Sequence, residues 1–262
     1  MTSAALHNTT ERASSIRPKI QIVVPIYNEG ENVCRLYRDL VAEGIEFDTL
    51  RFVYDFDGDT TLPYIAKMHA DDTRVTADKN CFGRGVLQAL RWGFAHAEPG
   101  PVLVVMGDNS DKLSIIPDMI ARWRDGATVV APSRYMKGGK QFGGGLVKSN
   151  MSRAAGVSLK LFGFPTADAT NNFKLYDGEW LRSQKIESSG GFEVAMELCF
   201  HAYEQGKKIV ELPTEWRDRT EGESRFKIFS WTPKYLRWYF KILNAMLRRR
   251  FGLSTAPSSA SV

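Results

Sequence analysis

Cysteine and histidine are scarce in this sequence, and the scarcity narrows its chemistry. The three cysteines, Cys34, Cys81 and Cys199, are widely spaced and odd in number. That argues against a paired disulfide framework and predicts reduced thiols in a cytosolic setting. The four histidines, His7, His69, His96 and His201, have neither the spacing of a zinc site nor that of a catalytic triad, so they read as surface or packing residues. No stretch reaches the roughly 18 uninterrupted apolar residues of a membrane-spanning helix, and the polar opening at residues 1–7 lacks the apolar core of a signal peptide. A cytoplasmic protein is expected, either soluble or peripheral to a membrane. Internal repeats and low-complexity segments are absent from the central part of the chain.

What is present points to one α/β domain. With 262 residues and 43% hydrophobic content, the chain can bury one substantial core. Residues 1–17 and 253–262 are small and polar and are expected to be disordered. Between them, short β-branched runs at 20–25, 51–54, 74–76, 102–106 and 128–131 alternate with amphipathic segments such as 31–42, 83–97 and 114–125. This alternation predicts a mostly parallel sheet with crossover helices on both faces. After Ser133 the regularity weakens. A glycine-rich loop at 137–145 precedes a helix at 146–162, a strand at 172–176, a helix at 192–205 and a strand at 208–212.

The chemistry gathers where predicted strands end. Val104-Val105-Met106-Gly107-Asp108-Asn109-Ser110-Asp111 is a buried-strand run that breaks at one small residue and delivers two carboxylates. Open α/β sheets bind ligands at such strand ends, and oxygen ligands at this spacing suit Mg²⁺ or Mn²⁺ carrying a substrate phosphate. The plainer alternative is a turn followed by a helix N-cap. Pro25-Ile26-Tyr27-Asn28-Glu29 follows the first strand and Asp55-Phe56-Asp57-Gly58-Asp59 the second. Carboxylates there can accept hydrogen bonds from a ribose or a base edge, or simply make turns. Asn80-Cys81-Phe82-Gly83-Arg84-Gly85 opens a helix after the third strand, where glycines let backbone N–H groups approach an anion. It lacks the full dinucleotide fingerprint and does not follow the first strand, which disfavours a nicotinamide enzyme.

Further ordered segments extend the pattern. After Pro25-x-Tyr27-Asn28-Glu29 come Asn80, Gly83, Gly85, Ala89 and Gly93, then Ser133-Arg134-Tyr135 with Gly138-Gly139, and then Lys148 and Ser152 four apart. Asp168-x-Thr170-x-x-Phe173-Lys174-x-Tyr176, Gly191-Phe192 to Glu197, Pro213 and Asp218-Arg219-x-x-Gly222-Glu223-Ser224-Arg225 complete the series. In this order the segments, from about residue 20 to about residue 228, resemble the family 2 glycosyltransferases and, within them, the dolichol-phosphate mannose synthase-like branch.

The resemblance implies a GT-A-type nucleotide-diphospho-sugar transferase fold over residues 18–228 and an inverting, metal-dependent sugar transfer to a polyprenyl or dolichyl phosphate. It implies that Pro25, Tyr27, Glu29 and Asp57, with Gly83 and Gly85, hold a GDP- or UDP-sugar, and that Asp108 holds the metal together with Ser110 or Asp111. Arg134, Lys148, Lys174, Arg219 and Arg225, with Ser152 and Asp168, lie in the matching acceptor-side segments. An ionised lipid phosphate needs positive charge to orient it and no strong base, whereas a sugar hydroxyl would need a carboxylate such as Asp168 or Glu197. Two departures stand out. The usual Asp-Asp-Gly-Ser loop reads Asp55-Phe56-Asp57-Gly58-Asp59, and the usual Asp-x-Asp reads Asp108-x-Ser110-Asp111. The rival readings are a transferase with a hydroxyl acceptor in polysaccharide or glycolipid synthesis, and a non-catalytic nucleotide-sugar-binding or scaffold subunit.

Residues 229–252 form a basic, aromatic segment. Lys234, Arg237, Lys241, Arg248, Arg249 and Arg250 are interleaved with Trp231, Tyr235, Trp238, Tyr239, Phe240 and Leu243, with no acidic residue from 234 to 250. This predicts an amphipathic helix lying in an anionic lipid interface, or else a terminal helix docked on the core. A membrane surface is therefore an expected partner and nucleic acid is not, since the charge is confined to one segment without a reader motif. Some relatives carry transmembrane helices after this point, and an integral-membrane partner would take their place here.

Overall fold

The computed structural model describes residues 18–218 and 228–252. The tails expected to be disordered, 1–17 and 253–262, lie outside the described residues.

The apolar runs make a seven-stranded sheet. It comprises β1 (Gln21–Pro25), β2 (Thr49–Tyr54), β3 (Val75–Lys79), β4 (Pro101–Val104), β5 (Val129–Ser133), β7 (Lys174–Asp177) and β8 (Ile209–Pro213), in the order β3-β2-β1-β4-β7-β5-β8. A separate two-stranded sheet pairs β6 (Lys140–Phe142) with β9 (Glu215–Arg217). Every pairing in the large sheet is parallel except those of β7, which runs against both β4 and β5.

All five residues of β1 are buried, as a strand covered on both faces requires. The period of two divides the core. Ile22, Val24, Leu50, Phe52 and Leu103 pack on one face against α1 (Asn32–Ala42), α2 (Leu62–Asp71) and α4 (Ile116–Arg124). Val23, Val53, Val102, Val104 and Tyr176 pack on the other against α3 (Val86–Ala95), α6 (Gly178–Arg182), α7 (Val194–Glu204) and α8 (Ile228–Arg250). The mostly parallel sheet with helices on both faces is therefore as expected.

Register brings the loops together. β1 pairs Pro25 with Val53 of β2 and Val23 with Val104 of β4, so the loops after these strands leave from one carboxyl edge. β4 is shorter than the expected 102–106 because its antiparallel partner β7 begins at Lys174, opposite Val104. β6 and β9 were not visible in the sequence, since three residues are too few to show a period. The helix α5 (Leu146–Leu161) lies where expected. A Cβ at Gly156 would run into the carbonyl oxygen of Ala167. Glycine permits this close approach, which sets Ser152 Oγ 2.6 Å from Thr170 Oγ1.

Candidate active site

Two loops at the carboxyl edge are locked to each other through buried polar side chains. The Asn28 N–H donates to Asp59 (3.1 Å), Asn28 Oδ1 accepts from Thr60 N–H (3.1 Å), and Glu29 N–H donates to Thr61 Oγ1 (3.0 Å). Asn28 adopts φ +53°, which a short polar side chain tolerates. This lock presents Tyr27, whose ring lies 5.4 Å from that of Phe56, with the Arg84 guanidinium 5.6 Å from the Phe56 centroid. Pro25 ends β1 in the core, while Glu29 reaches across Gly107. A Cβ at 107 would sit 3.3 Å from Glu29 Cγ, so the small residue in the carboxylate loop makes room for Glu29.

Within the second loop the carboxylates have different duties from those read in the sequence. Asp57, the expected nucleoside ligand, is 76% exposed and paired with Lys79 at 2.6 Å. The enclosed positions belong to Asp59, which holds the first loop, and to Asp55. Asp55 accepts from Asn80 Nδ2 (2.5 Å) and from Gly85 N–H (2.7 Å). Gly83 and Gly85, at φ +112° and +103°, do open α3, but the anion that Gly85 receives is the protein's own Asp55. An Asp directly after one strand and an Asn directly after the next was the available signal for this contact.

The carboxylate loop turns tightly after β4. Ser110 N–H donates to Asp108 Oδ1 (3.2 Å), and Asn109 at φ +56° donates through Nδ2 to Asn32 O (3.2 Å). Ser110 is buried, and its carbonyl accepts from Arg217 N–H at 3.0 Å. Asp111 Oδ2 is enclosed without a hydrogen-bond partner. Burial, and then the neighbouring charge of Asp108, push the Asp111 carboxyl up to about 8. Two oxygen-donor side chains in mutual repulsion, one with an orphaned oxygen, fit a hard divalent cation. Among the described residues no three His, Cys, Asp or Glu side chains cluster as a metal cage, so a cation here would complete its shell with water and substrate oxygens.

Within electrostatic reach of Asp111 stands a buried ion pair. Arg134 donates to Asp168 through Nε (2.7 Å) and Nη2 (2.8 Å), and its backbone N–H adds a third bond at 3.0 Å. The Asp168 side chain is fully buried and that of Arg134 is 12% exposed. Burial alone would raise the Asp168 carboxyl, but the guanidinium overrides it and holds the group below the usual carboxylate range. Arg134 also lies 4.9 Å from the Tyr135 ring and 5.8 Å from the Trp216 ring. Ser152 joins this group through Thr170, whose hydroxyl donates to Asp168 Oδ1 at 3.2 Å.

Lys174 does not join it as an anion-binding cation. It is wholly buried, and its Nζ donates to the carbonyls of Asp168 (3.1 Å) and Asn171, with burial pulling its proton affinity down. Lys148 lies in the first turn of α5, its side chain outside the described part. Arg219 and Arg225 lie outside the described residues. Glu197, weighed as a base, is fully buried and accepts the backbone N–H groups of Glu187 and Ser188. Sequence reasoning missed Trp216, which sits on a strand too short to show a pattern.

The basic helix α8 is docked on the body rather than lying free. Trp238, Ile242, Ala245 and Met246 are buried. Arg237 and Lys241 reach Glu187 at 3.0 and 2.8 Å, Lys234 donates to Ser189 O at 3.2 Å, and Arg249 to Tyr203 O at 2.5 Å. Much of the charge that suggested a lipid face therefore fastens the helix to α7 and the loop before it. Leu236, Phe240, Leu247 and Phe251 remain exposed as one stripe, with Phe240 at 58% and Phe251 at 68%, and Arg248 and Arg250 are exposed beside it. Among the described residues no helix is long and apolar enough to cross a membrane.

Comparison with known proteins places this geometry. Residues 21–183 match the family model of glycosyl transferase family 2. The chain is 27% identical over 237 residues to a dolichol-phosphate mannosyltransferase of Pyrococcus furiosus, covering 86% of this chain and 64% of that protein's length. It is 28% identical over 251 residues to an undecaprenyl-phosphate mannosyltransferase of Micrococcus luteus, covering 90% of this chain and 100% of that protein. Among solved structures, a glucosyl-3-phosphoglycerate synthase from Mycobacterium tuberculosis in complex with Mn²⁺, UDP and phosphoglyceric acid superposes with a TM-score of 0.61 at 13% identity, covering 87% of this chain and 78% of that one. A mannosyl-3-phosphoglycerate synthase from Rubrobacter xylanophilus gives a TM-score of 0.57 at 14% identity, covering 94% and 78%. At such identities the likeness carries the fold, which is of the GT-A type.

Proposed function

Because the chain belongs to glycosyl transferase family 2, we propose that it moves a sugar from a nucleotide diphosphate sugar to a polyprenyl phosphate, with inversion, at a membrane surface. The observation that carries the acceptor class is the state of the carboxylates weighed as bases. Asp168 is engaged by Arg134, and Glu197 by main-chain N–H groups. A sugar hydroxyl would need a free base, whereas a phosphate oxygen is already ionised near neutral pH and attacks without one. The similarity to the polyprenyl-phosphate mannosyltransferases of P. furiosus and M. luteus agrees with this.

The residues divide the work by position. Tyr27 and Phe56 offer a ring pair for the base, and Glu29, beside Gly107, would accept from the nucleoside, whereas Asp57 would do so only by leaving Lys79. Asp108 and Asp111 would hold Mg²⁺ or Mn²⁺, which when bound supplies Lewis-acid neutralisation of the departing diphosphate. Arg134 and Ser152 would orient the acceptor phosphate, the role in which the sequence resemblance also puts Lys148, Arg219 and Arg225. Arg134 keeps its direction because Asp168 fixes two of its nitrogens and two aromatic rings flank the guanidinium.

Incubation of the protein with Mg²⁺ or Mn²⁺, a panel of GDP- and UDP-sugars and a polyprenyl phosphate is expected to release nucleoside diphosphate only when metal and lipid are both present. Release that ignores the lipid would sink the acceptor assignment, and silence with every donor would favour the binding-subunit reading.

The exposed stripe of α8 would rest on the lipid surface where such acceptors present their head groups, with Arg248 and Arg250 facing anionic lipid. Removing one buried phenylalanine from an apolar phase costs about 1.5–3 kcal/mol. Phe240→Asp is therefore expected to lower the partition coefficient onto vesicles containing anionic phospholipid by about tenfold to a hundredfold. Unchanged partitioning would refute this orientation of the helix.

A further inference from the structure

Three loops meet at Trp216, one of the two rings beside Arg134. The main chain of Trp216 forms an isolated antiparallel bridge with Asp111, and the next residue, Arg217, donates its N–H to Ser110 O at 3.0 Å. The same strand, β9, pairs in parallel with β6, placing Trp216 opposite Gln141. Just before it, Thr214 N–H donates to Ser133 O at 3.0 Å, and just after it Asp218 accepts from Gly144 N–H at 3.0 Å. The indole ring lies 5.8 Å from the Arg134 guanidinium, and its Cζ3 is 3.4 Å from where a Cβ on Gly144 would stand. The backbone of this residue thus belongs to the carboxylate loop, and its side chain to the acceptor-side cation and to the glycine segment leading into α5.

We infer that Trp216 is a positioning residue that couples cation binding at Asp108 and Asp111 to engagement of the acceptor anion at Arg134. Several kinds of contact support it. The bridge to Asp111 means that a shift of the carboxylate loop moves the Trp216 backbone. The ring over Arg134 means that such a movement alters the seat of the guanidinium, since a cation over an indole face is held by the ring's quadrupole. Asp168 holds Arg134 through Nε and Nη2 and the Tyr135 ring belongs to the next residue in the chain, so the indole is the one of these contacts that comes from the strand bridged to the carboxylate loop. Coupling of this kind is reciprocal: whatever factor the acceptor contributes to cation affinity, the cation contributes to acceptor affinity. The inference rests on the transferase reading.

The test measures Mn²⁺ affinity by equilibrium dialysis in the presence of UDP or GDP, with and without farnesyl phosphate as a soluble acceptor probe. These mixtures allow no turnover. In the unaltered protein, farnesyl phosphate is expected to tighten Mn²⁺ binding about fivefold or more. In Trp216→Ala that factor falls towards one while Mn²⁺ affinity without the probe stays within about twofold, and Trp216→Phe, which keeps a ring over Arg134, retains most of the factor. A purely structural role for the indole would instead lower both affinities together and leave their ratio intact, and that result overturns the inference. So does an unaltered protein that transfers sugar yet shows no coupling. Should Trp216→Ala fail to give a native circular dichroism spectrum, Trp216→Leu, which fills the space without a ring, replaces it, and a retained coupling factor in that variant is equally fatal. Failure of the transferase reading is separate: it is the absence of transfer by the unaltered protein with any donor.

Discussion

Asp108→Ala is expected to cut sugar transfer by roughly 10²–10³-fold or more in kcat, the scale on which a single preorganised electrostatic contact to a developing charge acts, while leaving the protein folded. The half-buried Asp108 stands beside Asp111, and its charge is one reason the Asp111 carboxyl is pushed up to about 8. With Asp111 pushed up to about 8 and so mostly protonated near neutral pH, the deletion breaks no ion pair between the two, and thermal stability should hold steady. The cost falls on the loop turn that Asp108 makes with Ser110 N–H and on the cation. Asp108→Asn separates these, since the amide oxygen can still accept from Ser110 but carries no charge. Both variants should also lose the rise in Tm that Mn²⁺ and a nucleoside diphosphate give the unaltered protein. Full activity in Asp108→Asn would show that the turn, not the charge, is what the residue supplies. A fall of many degrees in Tm for Asp108→Ala would place the residue in the fold instead of the reaction.

The second large effect is structural. Asp168→Ala leaves the Arg134 guanidinium buried without its partner, and also removes the acceptor used by Thr170 and by the Arg134 backbone N–H. Breaking a buried pair from one side costs about 3–5 kcal/mol, which for a protein of this size lowers Tm on the order of 10 °C. The sign of its pH dependence follows from Asp168 being held below the usual carboxylate range. The stability it contributes is present above the unfolded value of about 4 and is lost as the pH falls through the depressed folded value. Denaturant titrations from pH 7 to pH 3 should therefore show the two proteins' stabilities converging at the acid end. A variant as stable as the parent at pH 7, or a gap that widens on acidification, contradicts this account of the pair.

How much of this was legible in the sequence depended on the range of the interaction that decides it. The large sheet, its parallel strands and the helices α1, α3, α4, α5 and α7 could be read because a strand covered on both faces must be apolar throughout and a helix on one face must repeat its apolar residues every three to four positions. Nothing in the Lys174-Leu175-Tyr176-Asp177 sequence of β7 marked its reversed direction. Its direction follows from the partners it meets. β6 and β9 are three residues each, too short to show a period, and they pair where the fold brings residues 140 and 215 side by side.

Site residues divide in the same way. Tyr27, Glu29 and the Asp108–Asp111 loop could be assigned to the carboxyl edge because they lie in the loops past β1, whose last residue is Pro25, and β4, and parallel neighbouring strands end at one edge. Which carboxylate in 55–59 is enclosed could not be read, because Asp55, Asp57 and Asp59 are alternate residues of one turn. Asn80 and Gly85 select Asp55, Asn28 selects Asp59, and Lys79 takes Asp57 at the surface. Lys174 looked like a cation for an anion and is instead a buried donor to carbonyls. Arg237, Lys241 and Arg249 looked like a lipid face and instead fasten α8 through Glu187 and the end of α7. By itself, the sequence determined the family, the fold and the sheet edge to which the candidate residues belong, because these depend on patterns within single segments. Only the tertiary structure decided which charges face the cleft, since a charged side chain is assigned by the partner within about 3–4 Å that it meets, and those partners come from segments distant in the chain.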